Sequence, residues 1–189
     1  MKPAPFEYHS PASVAEAVSQ LGSLEDAKIL AGGQSLIPLL NFRLARPAHL
    51  VDINGLEELN RVYERDGGVA IGATMRQADA EAHPLLASHC PLLPMALKLV
   101  AHPVIRNRGT FCGSLGHSDP ASELCATRLA LYGRGIARSP LGGPRIKAEA
   151  VICRPRASRP LSGERLTEAG VATTPGPRGI SAADHGHDN

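Results

Sequence analysis

Between Phe6 and Leu131 the apolar residues change their spacing repeatedly, from every second residue to every third or fourth and back. A period of two suits a strand and a period of 3.6 suits a helix, so this alternation restricts the chain to a mixed α/β or α+β domain. Phe6-Glu7-Tyr8-His9 alternates as a half-buried strand would. Ser10 reads as an N-cap with Pro11 at the first helical position, and Val14, Ala17, Val18 and Leu21 form one apolar stripe that Gly22 ends. A strand over 27–31, a Gly-Gly turn and a short apolar segment over 36–40 follow, then a strand over 49–53. Segments 62–65 and 69–73 flank Asp66-Gly67-Gly68, a hairpin signal. Helices are expected at 76–82, 92–100 and 120–131, the last capped by Asp119 with Glu123 in its first turn.

Composition breaks near Tyr132. Residues 1–132 hold 20 leucines and all six aromatics, whereas residues 133–189 hold three leucines and none. Gly, Pro and Arg fill 23 of those last 57 positions, which leaves little apolar surface to offset the entropy of ordering. The expectation is therefore a folded domain over 1–132 and an unstructured tail over 133–189.

A net charge of +2 does not argue for a nucleic-acid surface, and no apolar run reaches membrane-spanning length. The cysteines at 90, 112, 125 and 153 include no Cys-x-x-Cys pair. That spacing points away from a metal or iron–sulfur site held by this chain, and towards small buried apolar residues in a reducing, cytoplasmic setting.

Two glycine-bearing segments carry the chemistry. Ala31-Gly32-Gly33-Gln34-Ser35 follows the strand Lys28-Ile29-Leu30 directly. Adjacent glycines let neighbouring N–H groups converge on an anion, and Ser35 adds a hydroxyl donor. Such a turn is more often structural than functional, and it is neither a G-x-G-x-x-G fingerprint nor a P-loop. The second segment runs from Arg106 to Glu123 and reads as a loop rich in hydroxyls and glycines that enters a helix N-terminus. It would supply backbone donors, a favourable dipole end and a carboxylate able to accept from sugar hydroxyls; alone it reads equally well as a surface loop with an ordinary cap. His117 and Asp119 lie near each other, but no Gly-x-Ser-x-Gly elbow accompanies them, so no catalytic residue is assigned.

Taken together, residues 31–35 and 110–114 resemble the two FAD-binding loops of the medium subunits of molybdenum hydroxylases, the group of carbon monoxide dehydrogenase and the FAD domain of xanthine dehydrogenase. Lys2-Pro3-Ala4-Pro5-Phe6, Asn41-Phe42-Arg43-Leu44-Ala45-Arg46-Pro47, Val51-Asp52-Ile53, Ile71-Gly72-Ala73 and the stretch from Ala101 to Thr110 stand in that family's order. The resemblance covers residues 2–132. It implies a p-cresol methylhydroxylase-type FAD-binding fold, with a complete first lobe over about 1–55 and a second, partial lobe from about 56 to 132. Ala31, Gly32, Gly33, Gln34 and Ser35 would hold the pyrophosphate, and Leu30 and Leu36 would line its edge. Thr110, Gly113 and Ser114 would contact the diphosphate and ribityl region, Glu123 the adenosine end, and Val104 the flavin ring. Cys112 stands where the family usually has glycine, and its Cβ would crowd a loop that needed a positive φ there.

The implied activity is electron relay. A large subunit with a molybdenum cofactor would oxidise the substrate, and a small subunit with 2Fe–2S clusters would pass electrons to this FAD. An amino-sugar reductase or covalent flavin oxidase of similar fold fits the front-half motifs less well. A different class of reading is a remnant that docks on partners without holding FAD. Nothing after Tyr132 resembles the rest of the family's second lobe, a break of the kind a shifted reading frame would leave.

Overall fold

The structure, a computed structural model, describes residues 1–65, 68–131, 133–138, 145–147 and 165–172. Three parallel strands form the first sheet: β1 (Glu7–His9), β2 (Ala27–Leu30) and β3 (His49–Asp52), in the order β1-β3-β2. Glu7 and Ala27 both lie opposite His49, one on each side of the central strand. Parallel strands need crossover connections, which here contain α1 (Val14–Ser23) and α2 (Leu36–Asn41).

The cap of α1 is Ser13, not Ser10. Its extended backbone turns the hydroxyl onto the Glu16 amide at 3.1 Å, and the Glu16 carboxylate accepts from the Ala12 amide at 2.8 Å. Pro11 and Ala12 therefore precede the helix, and α1 runs past Gly22 to Ser23. Losing such a cap typically costs about 1 kcal/mol. Val14, Ala17 and Leu21 bury the stripe expected of this helix.

The second sheet has the order β4-β5-β8-β6-β7, built from β4 (Val62–Arg65), β5 (Gly68–Gly72), β6 (Arg134–Arg138), β7 (Arg145–Lys147) and β8 (Arg165–Ala172). Strands β4 and β5 pair antiparallel as expected, with Val62 opposite Ile71; Asp66 and Gly67 lie outside the described residues. Strand β8 pairs with the other side of β5, Gly72 opposite Glu168, and with β6 beyond it. This corrects the expectation of an unstructured stretch after Tyr132 for residues 134–138, 145–147 and 165–172; the remainder of that expected tail, apart from Gly133, lies outside the described residues. The physical reason lies in β5. Val69, Ala70 and Ile71 are almost wholly buried, and a buried strand needs ladder partners for its backbone on both sides.

Six short helices lie between the two halves of this sheet in sequence: α3 (Gln77–Glu81), α4 (Pro84–His89), α5 (Leu92–Leu97), α6 (Pro103–Arg108), α7 (Phe111–His117) and α8 (Glu123–Ala130). Helices α4 and α6, which the apolar pattern did not signal, each begin with proline at the first turn after an extended histidine, His83 and His102. Residues 111–117 are helical, where a loop was expected. Helix α8 begins at Glu123 with Ser122 as its extended N-cap, so Asp119 is not the cap; its carboxylate instead accepts from the Ala121 amide at 2.9 Å.

One apolar cluster joins both sheets and these helices, from Val14 through Val51, Ile71 and Leu86 to Leu124 and Leu131. Cys90, Cys112 and Cys125 are buried, and burial pushes the thiols of Cys90 and Cys125 upward. Cys112 is helical and absent from the positive-φ residues, so the crowding foreseen for its Cβ does not arise. No described helix is long and apolar enough to cross a membrane.

The pairing of β8 makes a direct prediction. In hydrogen-exchange measurements the amides of residues 168–172 should exchange slowly, alongside those of β5. Exchange of that segment at the rate of an unfolded chain would remove β8 from the sheet.

Candidate cofactor site

At the C-terminal end of β2 the chain enters the turn 31–35. Gly33 has φ +72°, in the left-handed region where an L side chain is strained. Its carbonyl accepts from the Ile37 amide at 2.9 Å and so starts α2. The amides of Gly33, Gln34, Ser35 and Leu36 have no protein acceptor among the described residues. Four consecutive amides left unpaired beside a left-handed glycine make a concavity suited to an anion such as a phosphate. Leu30 and Ile37 lie beneath it, each within contact distance of the space a Gly33 side chain would fill.

The second segment meets the first at Thr110, across 78 positions of sequence. The buried Thr110 hydroxyl accepts from the Gly32 amide at 3.3 Å. A Cβ on Gly32 would lie 2.5 Å from the Arg108 carbonyl oxygen and 2.7 Å from the Thr110 nitrogen. Gly32 is thus required by the approach of protein backbone, whereas Gly33 is required by its own φ.

A hydrogen-bonded chain of side chains fastens this junction. Tyr8 donates to Asp52 at 2.5 Å, and Asp52 accepts from the Asn54 side-chain amide at 2.6 Å. The same Asn54 nitrogen donates to the Ala31 carbonyl at 2.8 Å, and its oxygen accepts from Arg76 at 2.9 Å. Arg76 also donates to the Arg108 carbonyl at 2.7 Å. The backbone repeats the connection through Gln77 N to Gly109 O at 2.9 Å and Phe111 N to Met75 O at 2.8 Å. Asn54 and Arg76 were not singled out from the sequence, because they act on backbone carbonyls and belong to no motif. The available signal was Asp52-x-Asn54 directly after a strand, a pairing that favours local side-chain-to-backbone bonds.

Further along, the Ser114 and Ser122 hydroxyls are 3.2 Å apart, which ties α7 to the start of α8. Glu123, half-buried, opens α8, where a carboxylate suits the positive end of the helix. Gly113 is exposed and Ser114 half-buried. Val104 stands apart on α6, 74% exposed. The structure therefore brings residues 30–36 together with Thr110, sets Ser114 beside the α8 entrance with Glu123 next in sequence, and leaves Val104 on an open surface.

Known proteins resemble this chain in sequence and in fold. The family described as the FAD binding domain in molybdopterin dehydrogenase matches residues 4–167. The carbon monoxide dehydrogenase medium chain of Hydrogenophaga pseudoflava is 42% identical over 150 residues, covering 79% of this chain and 52% of that one. The 6-hydroxypseudooxynicotine dehydrogenase complex subunit alpha of Paenarthrobacter nicotinovorans is 42% identical over 176 residues, covering 93% and 60%. Among solved structures, the Hydrogenophaga pseudoflava carbon monoxide dehydrogenase superposes with a TM-score of 0.89 at 38% identity over 93% of this chain and 62% of that one. Quinoline 2-oxidoreductase from Pseudomonas putida 86 gives 0.89 at 34% identity over 93% and 61%. The chain thus spans between half and two thirds of the length of these relatives. The family match runs past Tyr132 to residue 167, which corrects the expectation that the family pattern stops near Tyr132.

Two outcomes follow from the junction. Gly32→Ala should cost about 1–3 kcal/mol in urea unfolding, because backbone rather than a flexible side chain must give way. Gly55→Ala, where a Cβ meets nothing within 4 Å, is the control and should stay within about 0.5 kcal/mol of wild type. Tyr8 should titrate above its ordinary 10.0, first because its proton is held in the bond to Asp52, with burial and the Asp52 charge adding in the same direction. The folded state keeps this proton longer than the unfolded one. Its contribution is full below pH 10.0 and declines as pH rises through the folded value. Phenolate absorbance of wild type minus Tyr8→Phe should show one late-titrating group; a difference curve centred at the ordinary value would contradict the bond.

Proposed function

The chain belongs to the family of FAD-binding domains of molybdopterin dehydrogenases, and we propose that it serves such a dehydrogenase as the subunit through which electrons leave. FAD is the cofactor of the domain. When bound, the flavin supplies the one- and two-electron chemistry that no side chain here can. The protein's part is to hold, orient and shield it.

The observation that carries this reading is the unpaired amide row of residues 33–36 next to Gly32, whose own amide is bound to Thr110. Those amides, with the Ser35 hydroxyl, would take the pyrophosphate, and Leu30 and Leu36 would border it. Gly113 and Ser114 would reach the diphosphate and ribityl region, while Thr110, its hydroxyl already engaged by Gly32, positions the cradle from beneath. Glu123 would accept from the adenosine end. Val104, an exposed aliphatic side chain, offers a surface for the flavin ring. The arrangement fits the two-lobed p-cresol methylhydroxylase type. Support comes from the division of the strands, β1 to β3 before about residue 55 and β4 to β8 after it.

The partners proposed are a molybdenum-cofactor large subunit and a 2Fe–2S small subunit, with the assembly in the cytoplasm and an external acceptor taking the electrons. The medium-chain and complex-subunit names of the relatives support this. Relatives named for carbon monoxide, 6-hydroxypseudooxynicotine and quinoline match to similar degrees. Substrate choice therefore belongs to another subunit.

The test is flavin occupancy. The wild-type chain, expressed with excess riboflavin, should purify yellow and release FAD on denaturation. Gly33→Val places a β-branched side chain at φ +72°, which should displace the amide row and lower FAD affinity by more than about tenfold, or about 1.4 kcal/mol. Undiminished occupancy in the variant would remove the turn from the site.

A further inference from the structure

Away from the cofactor cradle, the edge of the first sheet gathers three metal-ligating side chains. Glu7 and His9 lie two residues apart on β1 and so share a face of the sheet. The parallel register puts His49 beside Glu7, which brings its side chain to that same face. The Glu7 amide donates to the Ala48 carbonyl at 2.8 Å, so the backbone beneath the cluster is fixed.

The side chains converge on one point. His9 Nε2 and His49 Nδ1 are 3.1 Å apart, His49 Nδ1 and a Glu7 carboxylate oxygen 3.5 Å, and His9 Nε2 and that same oxygen 4.0 Å. The circle through three atoms so separated has a radius of about 2.1 Å, within the range of zinc bonds to imidazole nitrogen and carboxylate oxygen. The rings are tilted by 48° with centroids 5.2 Å apart, an arrangement that aims a nitrogen of each at a shared position rather than stacking their faces. Both histidine side chains are largely buried, at 24% and 20% exposure, whereas Glu7 is 74% exposed and free to adjust.

We propose that Glu7, His9 and His49 form a divalent-cation site of the zinc class, with water in the remaining position. Two imidazoles and one carboxylate suit that ion, and the carboxylate offsets part of its charge. Without an ion, one imidazole donates to the other across 3.1 Å; on binding, the donor ring's proton moves to its other nitrogen, so that both facing nitrogens offer a lone pair to the metal. The cysteine spacing gave no hint of the cluster, because its ligands come from two strands 40 positions apart. The proposal is independent of FAD, since none of the three residues belongs to the cradle.

The test uses the full chain and Zn²⁺ alone. Calorimetric titration should show one site, and Zn²⁺ should raise the melting temperature of wild type by mass action. His9→Gln and His49→Gln should each weaken binding by more than about tenfold, a loss that even an outer partner of a ligand can cause. Glu7→Gln should weaken it less. Co²⁺ should give the weak bands of nitrogen and oxygen ligation without thiolate charge transfer. In histidine-ring nitrogen NMR spectra of the wild-type chain, Zn²⁺ should shift His9 through Nε2 and His49 through Nδ1, a readout that needs no variant to fold. Unshifted rings, thiolate bands, or undiminished Zn²⁺ affinity in the histidine variants would each overturn the site.

Discussion

The junction between Gly32 and Thr110 is the contact on which the rest of the arrangement depends. It joins the first sheet to the helical segment that follows the β4–β5 hairpin, and it tolerates no side chain at Gly32. Its own hydrogen bond is long, so the chain Tyr8–Asp52–Asn54–Arg76 supplies the fastening. Each member of that chain ends on another side chain or on a backbone carbonyl of the two turns. Bonds that involve a guanidinium or a carboxylate are stronger than neutral ones, and removing one member would leave polar neighbours unmatched. The amide row over 33–36 stays unpaired because its surroundings are held in this way.

Much of the first sheet was legible, since local pattern and tertiary role coincide there. The stripe on α1, the strands around Ile29 and Val51 and the hairpin at Asp66-Gly67 each carry their signal within a few residues. The Gly-Gly turn was legible for the same reason. The N-cap was misplaced by three positions because Ser10-Pro11 has the residue types of a helix start. The structure starts the helix at Ser13, whose hydroxyl takes the Glu16 amide while the Glu16 carboxylate reaches back to Ala12.

The harder part lay where the deciding partner is remote. Residues 165–172 sit in a stretch dominated by glycine, proline and arginine, and an average over 57 residues conceals an eight-residue strand. What gives that strand its place is the open side of β5, nearly a hundred residues earlier. Residues 111–117 failed for a related reason. Two glycines in seven positions look like a loop, yet the buried faces of Phe111, Cys112 and Leu115 draw the segment into a helix. Arg76 was invisible because a bond to a backbone carbonyl leaves no trace in residue type at the other end, and Asn54 carried only the local signal of Asp52-x-Asn54.

The 78 positions between Gly32 and Thr110 also bear on when the cradle comes into existence. Closing so long a loop costs entropy before any contact returns it, so the turn after β2 can form early while its counterpart arrives only with the packed second sheet. A nascent chain that has completed β1 to β3 holds half a receptor. The cofactor then meets its full set of donors only in the native state, and its binding free energy is added to that of folding. In such a protein the supply of flavin in the cell would govern how much folded chain accumulates, as well as how much of it is active.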